Sequence, residues 1–483
     1  MINEVETLEK EAIDLYRENK KDDSRDKYFE ILEKIKSVHT KKKMKSYLSS
    51  AHQRLVYNMS HYQRKKAEGK LKIAILCFQI PCVGKWDPDS IKKGIMGSEE
   101  AVIYTSLELA RQGHDVTVFA DPPDRSVYSL PLSNPYFIHV SNFNDRPADC
   151  SPDLSREKYD MIVMWRRADF SSCKNRGKSF FWPHDNPNGE FPLEDLAGCF
   201  FLSDFQRNTY VNLNQKLKDI PYVICGNGIV PEQFSSKKII VNEPIIKSKD
   251  LVDEKSGKVY DTVVEDVEFK KSEITVTLDD DRFFEKENPY SCIYPSNWAW
   301  GLPLLIDIWP SIREKFPRAT LEIYYGRETY GRLTQRQMER LIRKIEKLGN
   351  QGVTEVGKVD HIKLAEAFKN ASIMAYPANV TETFSINTVK AQIAGTIPVT
   401  TKMGALKETA YSKAPTMKGL DENRTSAFLV PVDKEEYKEL LLNTMENIQD
   451  FNRREFHDWA KKFTWENCVG EWLNLYNQVL SNK

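Results

Sequence analysis

The sequence predicts an α/β protein made of two doubly wound, parallel halves facing across a cleft, with a helical segment before them. Two observations carry this expectation. Short apolar runs alternate with helical stretches in two successive series, residues 71–224 and 292–400, and such alternation is the mark of a parallel sheet covered on both faces. A charged stretch, residues 235–289, interrupts the pattern between them. At 483 residues the chain is long enough for two or three domains, each with its own core.

Residues 1–70 read as helical and charged. Leu8, Ala12, Leu15 and Tyr16, then Tyr28, Ile31, Leu32 and Ile35, then Tyr47, Leu48, Ala51 and Leu55 each make one apolar stripe. A helical hairpin or a partial tetratricopeptide-like unit is expected. The basic cluster Lys41-Lys42-Lys43-Met44-Lys45 suits an anionic membrane surface or, more plainly, a solvated helix end. The first α/β domain, 71–234, opens with a strand at 71–76. Further strands are expected at 116–119, 161–165, 180–182, 200–202 and 222–224, with the clearest helix at 99–111. Within 235–289, runs at 258–260, 262–264 and 274–277 alternate as strands do. They predict a small β-hairpin insertion, because so long a loop is rarely structureless. The second domain, 290–455, has strand candidates at 292–294, 321–324, 353–356, 373–376 and 399–400. Helices at 304–316, 335–348 and 363–370 separate them. Trp465, Val469, Trp472, Leu473, Tyr476 and Leu480 define a last helix within 456–483.

Composition removes several classes of function. The 70 basic and 70 acidic residues cancel, so no global field points to nucleic acid. No apolar run approaches the roughly 18 residues needed to span a bilayer. The acidic start Met1-Ile2-Asn3-Glu4-Val5-Glu6 is unlike a signal peptide. The eight cysteines form no Cys-x-x-Cys pair, and Cys77, Cys199, Cys225 and Cys292 sit in or beside apolar runs. Buried free thiols are expected rather than a disulfide frame or a zinc site. These features describe a cytoplasmic protein, peripheral to a membrane at most. Its sequons at Asn58, Asn370, Asn379 and Asn423 would then stay unglycosylated. Asp279-Asp280-Asp281 could be taken for a metal-binding Asp-x-Asp, but in this charged insertion it reads as a solvated acidic turn, and no metal is expected. Asp121, at a strand end, reads as structural because no Gly-x-Gly-x-x-Gly loop accompanies it.

The richest stretch runs Thr381-Glu382-Thr383-Phe384-Ser385-Ile386-Asn387-Thr388-Val389-Lys390-Ala391-Gln392. The run Ile373-Met374-Ala375-Tyr376 before it reads as a buried strand, and Ile386, Val389, Ile393 and Ala394 recur at helical spacing. Glu382 therefore stands just past a strand's carboxyl end, beside the N-terminus of the next helix. Open α/β sheets bind ligands there, and the helix offers free N–H groups to phosphate. Gly94-Ile95-Met96-Gly97-Ser98-Glu99-Glu100 opens a helix after the first strand in the same way, with glycine allowing a phosphate or sugar to come close. His184-Asp185 follows the strand at 180–182, again at a carboxyl end.

In this order, and over most of 71–483, these motifs resemble those of retaining, GT-B-type glycosyltransferases of the family-four kind. Their signature is Glu-x7-Glu followed by a Gly-x-Pro-Val turn, here Gly395-Thr396-Ile397-Pro398-Val399. The resemblance implies two Rossmann-like domains, a nucleoside-diphosphate sugar (UDP- or GDP-linked) as donor substrate, and no required cofactor or metal. It implies transfer of a hexose with retention to a hydroxyl on a glycan, lipid-linked or protein acceptor. Glu382 would position the donor sugar and His184 would contact it. Gly97, Ser98, Thr383, Phe384, Ser385 and Ile386 would surround the diphosphate, and Val359, in Gly357-Lys358-Val359-Asp360-His361, would receive the base. Cys225-Gly226-Asn227-Gly228-Ile229 matches the turn closing the first domain, and the last helix would brace that domain.

Two positions depart from the family. Lys390 stands where a second glutamate binds the ribose hydroxyls, and a protonated lysine cannot accept those hydrogen bonds. Trp300, before Gly301-Leu302, stands where an arginine grips the diphosphate. In one reading Lys390 approaches a phosphate and Arg327 assists, giving a rearranged donor site. In the other the protein is a catalytically degenerate GT-B scaffold or regulatory partner that engages another protein through residues 1–70. A nucleotide-sugar epimerase fits the motifs less well.

Overall fold

The computed structural model describes residues 68–481 except 78–82, 124–125, 130–132, 141–157, 168–176, 188–195, 253–258, 328–331, 412–428 and 431. It also describes Thr7, Lys10, Glu11, Asp14, Leu15, Lys27 and Glu30, all helical. The remainder of the expected helical extension lies outside the described residues, with its other stripes, the 41–45 cluster and the Asn58 sequon. So does the Asn423 sequon.

The first half is a seven-stranded, all-parallel sheet of β1 (Lys72–Cys77), β2 (Asp115–Ala120), β3 (Tyr136–His139), β4 (Met161–Trp165), β5 (Lys178–Trp182), β6 (Leu196–Phe201) and β7 (Tyr222–Ile224). Their order is β3-β2-β1-β4-β5-β6-β7, so the chain reverses its direction of progress between β1 and β4. Ile73 to Cys77 of β1 and all of β4 are buried, as parallel strands covered on both faces must be. Helix α1 (Gly97–Arg111) makes the first crossover, and α2 (Asp204–Leu213) follows β6. The short β3, four residues beside Pro135, went unanticipated because so brief a run carries little periodic signal.

An antiparallel ribbon of β8 (Ser236–Val252) and β9 (Val259–Thr277) follows. It is far longer than the small hairpin expected. The alternating runs at 259–264 and 274–277 lie on β9, whereas the paired strand β8 carries Lys237, Lys238, Lys247 and Lys249. Backbone pairing from Ser236↔Thr277 to Val252↔Val259 holds it in place despite that composition. Its base is tied down where the Lys237 and Lys369 ammonium groups donate to the carbonyls of Glu285 and Ser236, each at 2.6 Å.

The second half repeats the arrangement in six parallel strands, β10 (Ser291–Tyr294), β11 (Thr320–Tyr324), β12 (Val353–Gly357), β13 (Ile373–Tyr376), β14 (Ile397–Thr401) and β15 (Leu429–Val430), in the order β12-β11-β10-β13-β14-β15. Helices α3 (Leu302–Lys315), α4 (Gln335–Lys347), α5 (His361–Asn370), α6 (Ile386–Ile393), α7 (Leu406–Thr409), α8 (Lys434–Glu446) and α9 (Arg453–Ala460) connect or cover them. The final helix α10 (Trp465–Ser481) returns to the first sheet. There Trp472 stacks on Phe200 with ring centroids 4.3 Å apart and meets Trp182 edge-on at 4.6 Å. The described cysteines Cys77, Cys199, Cys225, Cys292 and Cys468 are free. Among the described residues no helix is long and apolar enough to cross a membrane.

Candidate functional site

The carboxyl ends of both sheets meet at a cleft of about 460 Å³. From the first half come Gly97, Ser98, Arg166, His184 and Asp185. From the second come Ser296, Trp300, Tyr325, Arg332 and the segment from Val380 to Asn387. Among the described residues, the non-glycine residues with left-handed backbone are Arg166 (φ 66°), Tyr325 (φ 77°) and Ser385 (φ 69°). All three lie in this lining. Such conformations cost on the order of 1–3 kcal/mol each and gather where a site must aim its groups.

Two helix N-termini point at the cleft. Helix α1 begins at Gly97 after Met96, and α6 begins at Ile386 after Ser385; neither preceding residue caps its helix with a side chain. The Ser385 hydroxyl is engaged instead with Thr388 Oγ1 at 2.9 Å. The first N–H groups of both helices thus lack side-chain acceptors and leave positive potential facing the cleft. The ends are close: a Cβ added to Gly97 would lie 3.1 Å from Ile386 Cγ2. Glycine at 97 leaves that gap for backbone to approach a ligand.

Glu382 sits between β13 and α6. Its carbonyl accepts from the Ala405 N–H at 2.8 Å, and its main chain bridges to Gly404. A side chain at Gly404 would collide, since an added Cβ would come 2.2 Å from the Glu382 carbonyl oxygen. The Glu382 carboxylate accepts a short hydrogen bond from the Tyr376 hydroxyl. Part of the residue is exposed, but its carboxyl is enclosed. Burial raises its pKa, and the Tyr376 hydrogen bond opposes that rise.

The first half supplies a compact polar wall. His184 is buried, packed edge-on against Trp182 at 4.4 Å, and its Nε2 has no partner among the described residues. Burial and then the Arg166 charge lower its pKa well below the ordinary histidine value, so the ring is neutral at pH 7. Arg166 lies 4.1 Å over the Trp165 ring, with Glu99 at 3.3 Å and Asp185 at 3.4 Å from its nitrogens. Three hydrogen bonds fasten this wall to the loop between β13 and α6. Thr383 Oγ1 donates to the His184 carbonyl (2.9 Å), Ser203 Oγ to the Thr383 carbonyl (2.8 Å), and Asn186 Nδ2 to the Thr381 carbonyl (2.7 Å).

Of the residues singled out from sequence, Gly97, Ser98, His184, Trp300, Glu382, Thr383, Phe384, Ser385 and Ile386 share the cleft lining. Val359 lies in an adjoining cavity of about 510 Å³, with Lys358, Tyr324 and the first half's Asp87, Lys93 and Gly94. Gly94 presses close to it, for a Cβ there would be 2.4 Å from the Val359 carbonyl oxygen. Trp300 is half-buried, and among the described residues its indole N–H has no partner.

Lys390 and Arg327 are placed elsewhere than expected. The Lys390 ammonium is buried on the Glu100 carboxylate of α1, at 2.7 and 2.8 Å, and His361 Nδ1 stands 3.4 Å from the same carboxylate. Arg327 spends its fork on Glu355, both bonds 2.8 Å. Neither cation is in the cleft lining. The reason is local in each case: an acid within reach meets the charge first. Asp280 and Asp281 likewise pair with Arg282 and Arg454, and among the described residues no group of three or more His, Cys, Asp or Glu could hold a metal ion.

Sequence reasoning missed Glu100, Arg166, Tyr376 and Arg332. Arg166 and Tyr376 each carried a signal, since one follows and the other ends a strand at its carboxyl side. Glu100 carried none, because its partner is 290 residues away.

Residues 292–447 match the family described as Glycosyl transferases group 1. No curated protein sequence matches the chain. Among solved structures it is similar to sucrose-phosphate synthase from Thermosynechococcus elongatus, with 15% identity over 86% of this chain and 100% of that one, at a TM-score of 0.56. HepE from Anabaena, in complex with UDP and glucose, aligns with 14% identity over 85% and 99% of the two chains, at a TM-score of 0.54. A glycosyltransferase from Rickettsia africae aligns with 13% identity over 86% and 100%, at 0.50. The chain therefore has the GT-B fold, and residues 292–447 of its second half match the glycosyl transferases group 1 family.

Proposed function

We propose that this protein transfers a hexose from a nucleoside-diphosphate sugar to a hydroxyl acceptor with retention at the anomeric carbon. The observation that carries this reading is the pair of helix N-termini without side-chain caps, at Gly97 and Ile386, converging on a cleft that also holds Glu382. A diphosphate between them would meet backbone N–H groups from both halves, in a site where charge is stabilised without reorganisation. The HepE structures, with UDP and with UDP-glucose, lend support to the donor class.

In this reading the bond from the anomeric carbon to the diphosphate oxygen breaks as the acceptor oxygen bonds to the same face of the sugar. The acceptor proton passes to the departing diphosphate. Glu382, held by Tyr376, orients the sugar hydroxyls. Neutral His184 contacts the sugar without adding charge. Backbone N–H groups offset the phosphate charge, so no metal is required, and chelation with EDTA should leave turnover unchanged. A catalytically silent scaffold is the second reading; it is favoured by the burial of Lys390 on Glu100, where the family has a ribose-binding acid.

Incubation with UDP- and GDP-hexoses tests both. Release of nucleoside diphosphate, with the product's anomeric configuration retained by NMR, supports the enzyme. Nucleoside-diphosphate binding without turnover, across a panel of hydroxyl acceptors, supports the scaffold.

A further inference from the structure

In the transfer proposed above, a side-chain cation would add to the backbone N–H groups against the leaving diphosphate, and Trp300 cannot supply it. Neither can the cations closest to it in sequence logic. Lys390 is buried on Glu100, and Arg327 is gripped by both oxygens of Glu355. Arg166 does line the cleft, but Glu99 and Asp185 flank it on either side and offset its charge.

Resting on that reading of the site, we propose that Arg332 is the side chain that binds the donor diphosphate. It stands on the loop that leaves the carboxyl end of β11, lines the same cleft as Gly97 and Ser385, and is exposed. Among the described residues no acid pairs with its guanidinium. The loop starts at Tyr325, whose left-handed backbone turns the chain at the cleft edge. A guanidinium keeps its charge at any working pH and presents a planar fork to phosphate oxygens. In this chain the arginine missing before Gly301 is thus replaced from the next strand's loop, on the half that would hold the nucleotide. An exposed cation of this kind has no buried partner to give up before the donor arrives, and the two helix N-termini complete the site.

Titration calorimetry of the full chain with UDP, GDP and the matching nucleosides tests the assignment. The probes are the wild type, Arg332→Ala, Arg332→Lys and the surface control Arg340→Ala. Arg332→Ala should weaken diphosphate binding about tenfold or more and leave nucleoside binding within about twofold, since only the phosphate contact is lost. Arg332→Lys should recover part of the loss, and Arg340→Ala should match the wild type. Diphosphate binding by Arg332→Ala equal to the wild type overturns the assignment while leaving the transferase reading standing. So does equal weakening of nucleoside and diphosphate. A wild type that binds no nucleoside diphosphate overturns the transferase reading and the assignment with it.

Discussion

The two halves of the molecule share the order 3-2-1-4-5-6 in their sheets, yet they face the cleft with different surfaces. The first half presents a wall of paired charges over aromatic rings: Arg166 on Trp165, flanked by Glu99 and Asp185, beside a neutral His184. The second presents mostly backbone, from Val380 to Asn387, with one enclosed carboxyl at Glu382 and an Arg332 that pairs with no acid among the described residues. Charges that are already paired orient and exclude; unpaired N–H groups and an unpaired cation bind anions. The same topology thus supports a wall of paired charges on one side and, in the proposed function, a diphosphate seat on the other. The seam that joins them is Lys390 on Glu100 with His361 beside it.

Breaking that seam should have the largest effect. Lys390→Glu would put a second carboxylate against Glu100 in a buried site and should lower unfolding stability by about 3–5 kcal/mol, read by denaturant titration. The double variant Glu100→Gln/Lys390→Met should regain most of it, because an uncharged pair leaves no buried ion behind.

Acid should reveal the same seam. Burial alone would raise the Glu100 pKa, but His361 and Lys390 outweigh it and hold the group down to about 2. A depressed carboxyl stabilises the fold above its unfolded value of about 4.3. That contribution, about 3 kcal/mol, is lost as pH falls from about 4.5 to about 2. Thermal melts across this window should show a steeper loss for the wild type than for the double variant.

Glu382→Gln sharpens the contrast between binding and chemistry. It keeps the shape but removes the charge that orients the sugar, so transfer should fall by about 100-fold while nucleoside-diphosphate affinity stays within about threefold. Steady-state rates and calorimetry on one preparation separate these effects. The smallest change is expected at Arg327→Ala. Its pair with Glu355 is largely solvent-exposed, so stability should move by less than about 1 kcal/mol and diphosphate binding hardly at all.

Much of the fold was legible because its strands are buried on both faces. Met161–Trp165, Tyr222–Ile224 and Ile373–Tyr376 lie where their apolar runs placed them. The ribbon was less legible, since β8 pairs by backbone and its lysines conceal the strand. In the cleft, lining residues at a strand–helix junction left a readable trace: Gly97, and Thr383 to Ile386. Side chains whose position depends on a distant partner did not. Lys390 looked free in sequence because Glu100 lies on another domain's helix, and Tyr376 looked like core because its hydroxyl reaches Glu382 only after the chain has turned.

The central claim is that a nucleoside diphosphate binds between the N-termini of α1 and α6. Calorimetric titration of the full chain with UDP, GDP and ADP tests it most directly. The account predicts saturable binding of at least one, weakened as salt is raised because charge carries part of it. Failure of all three to bind at millimolar concentration would contradict it.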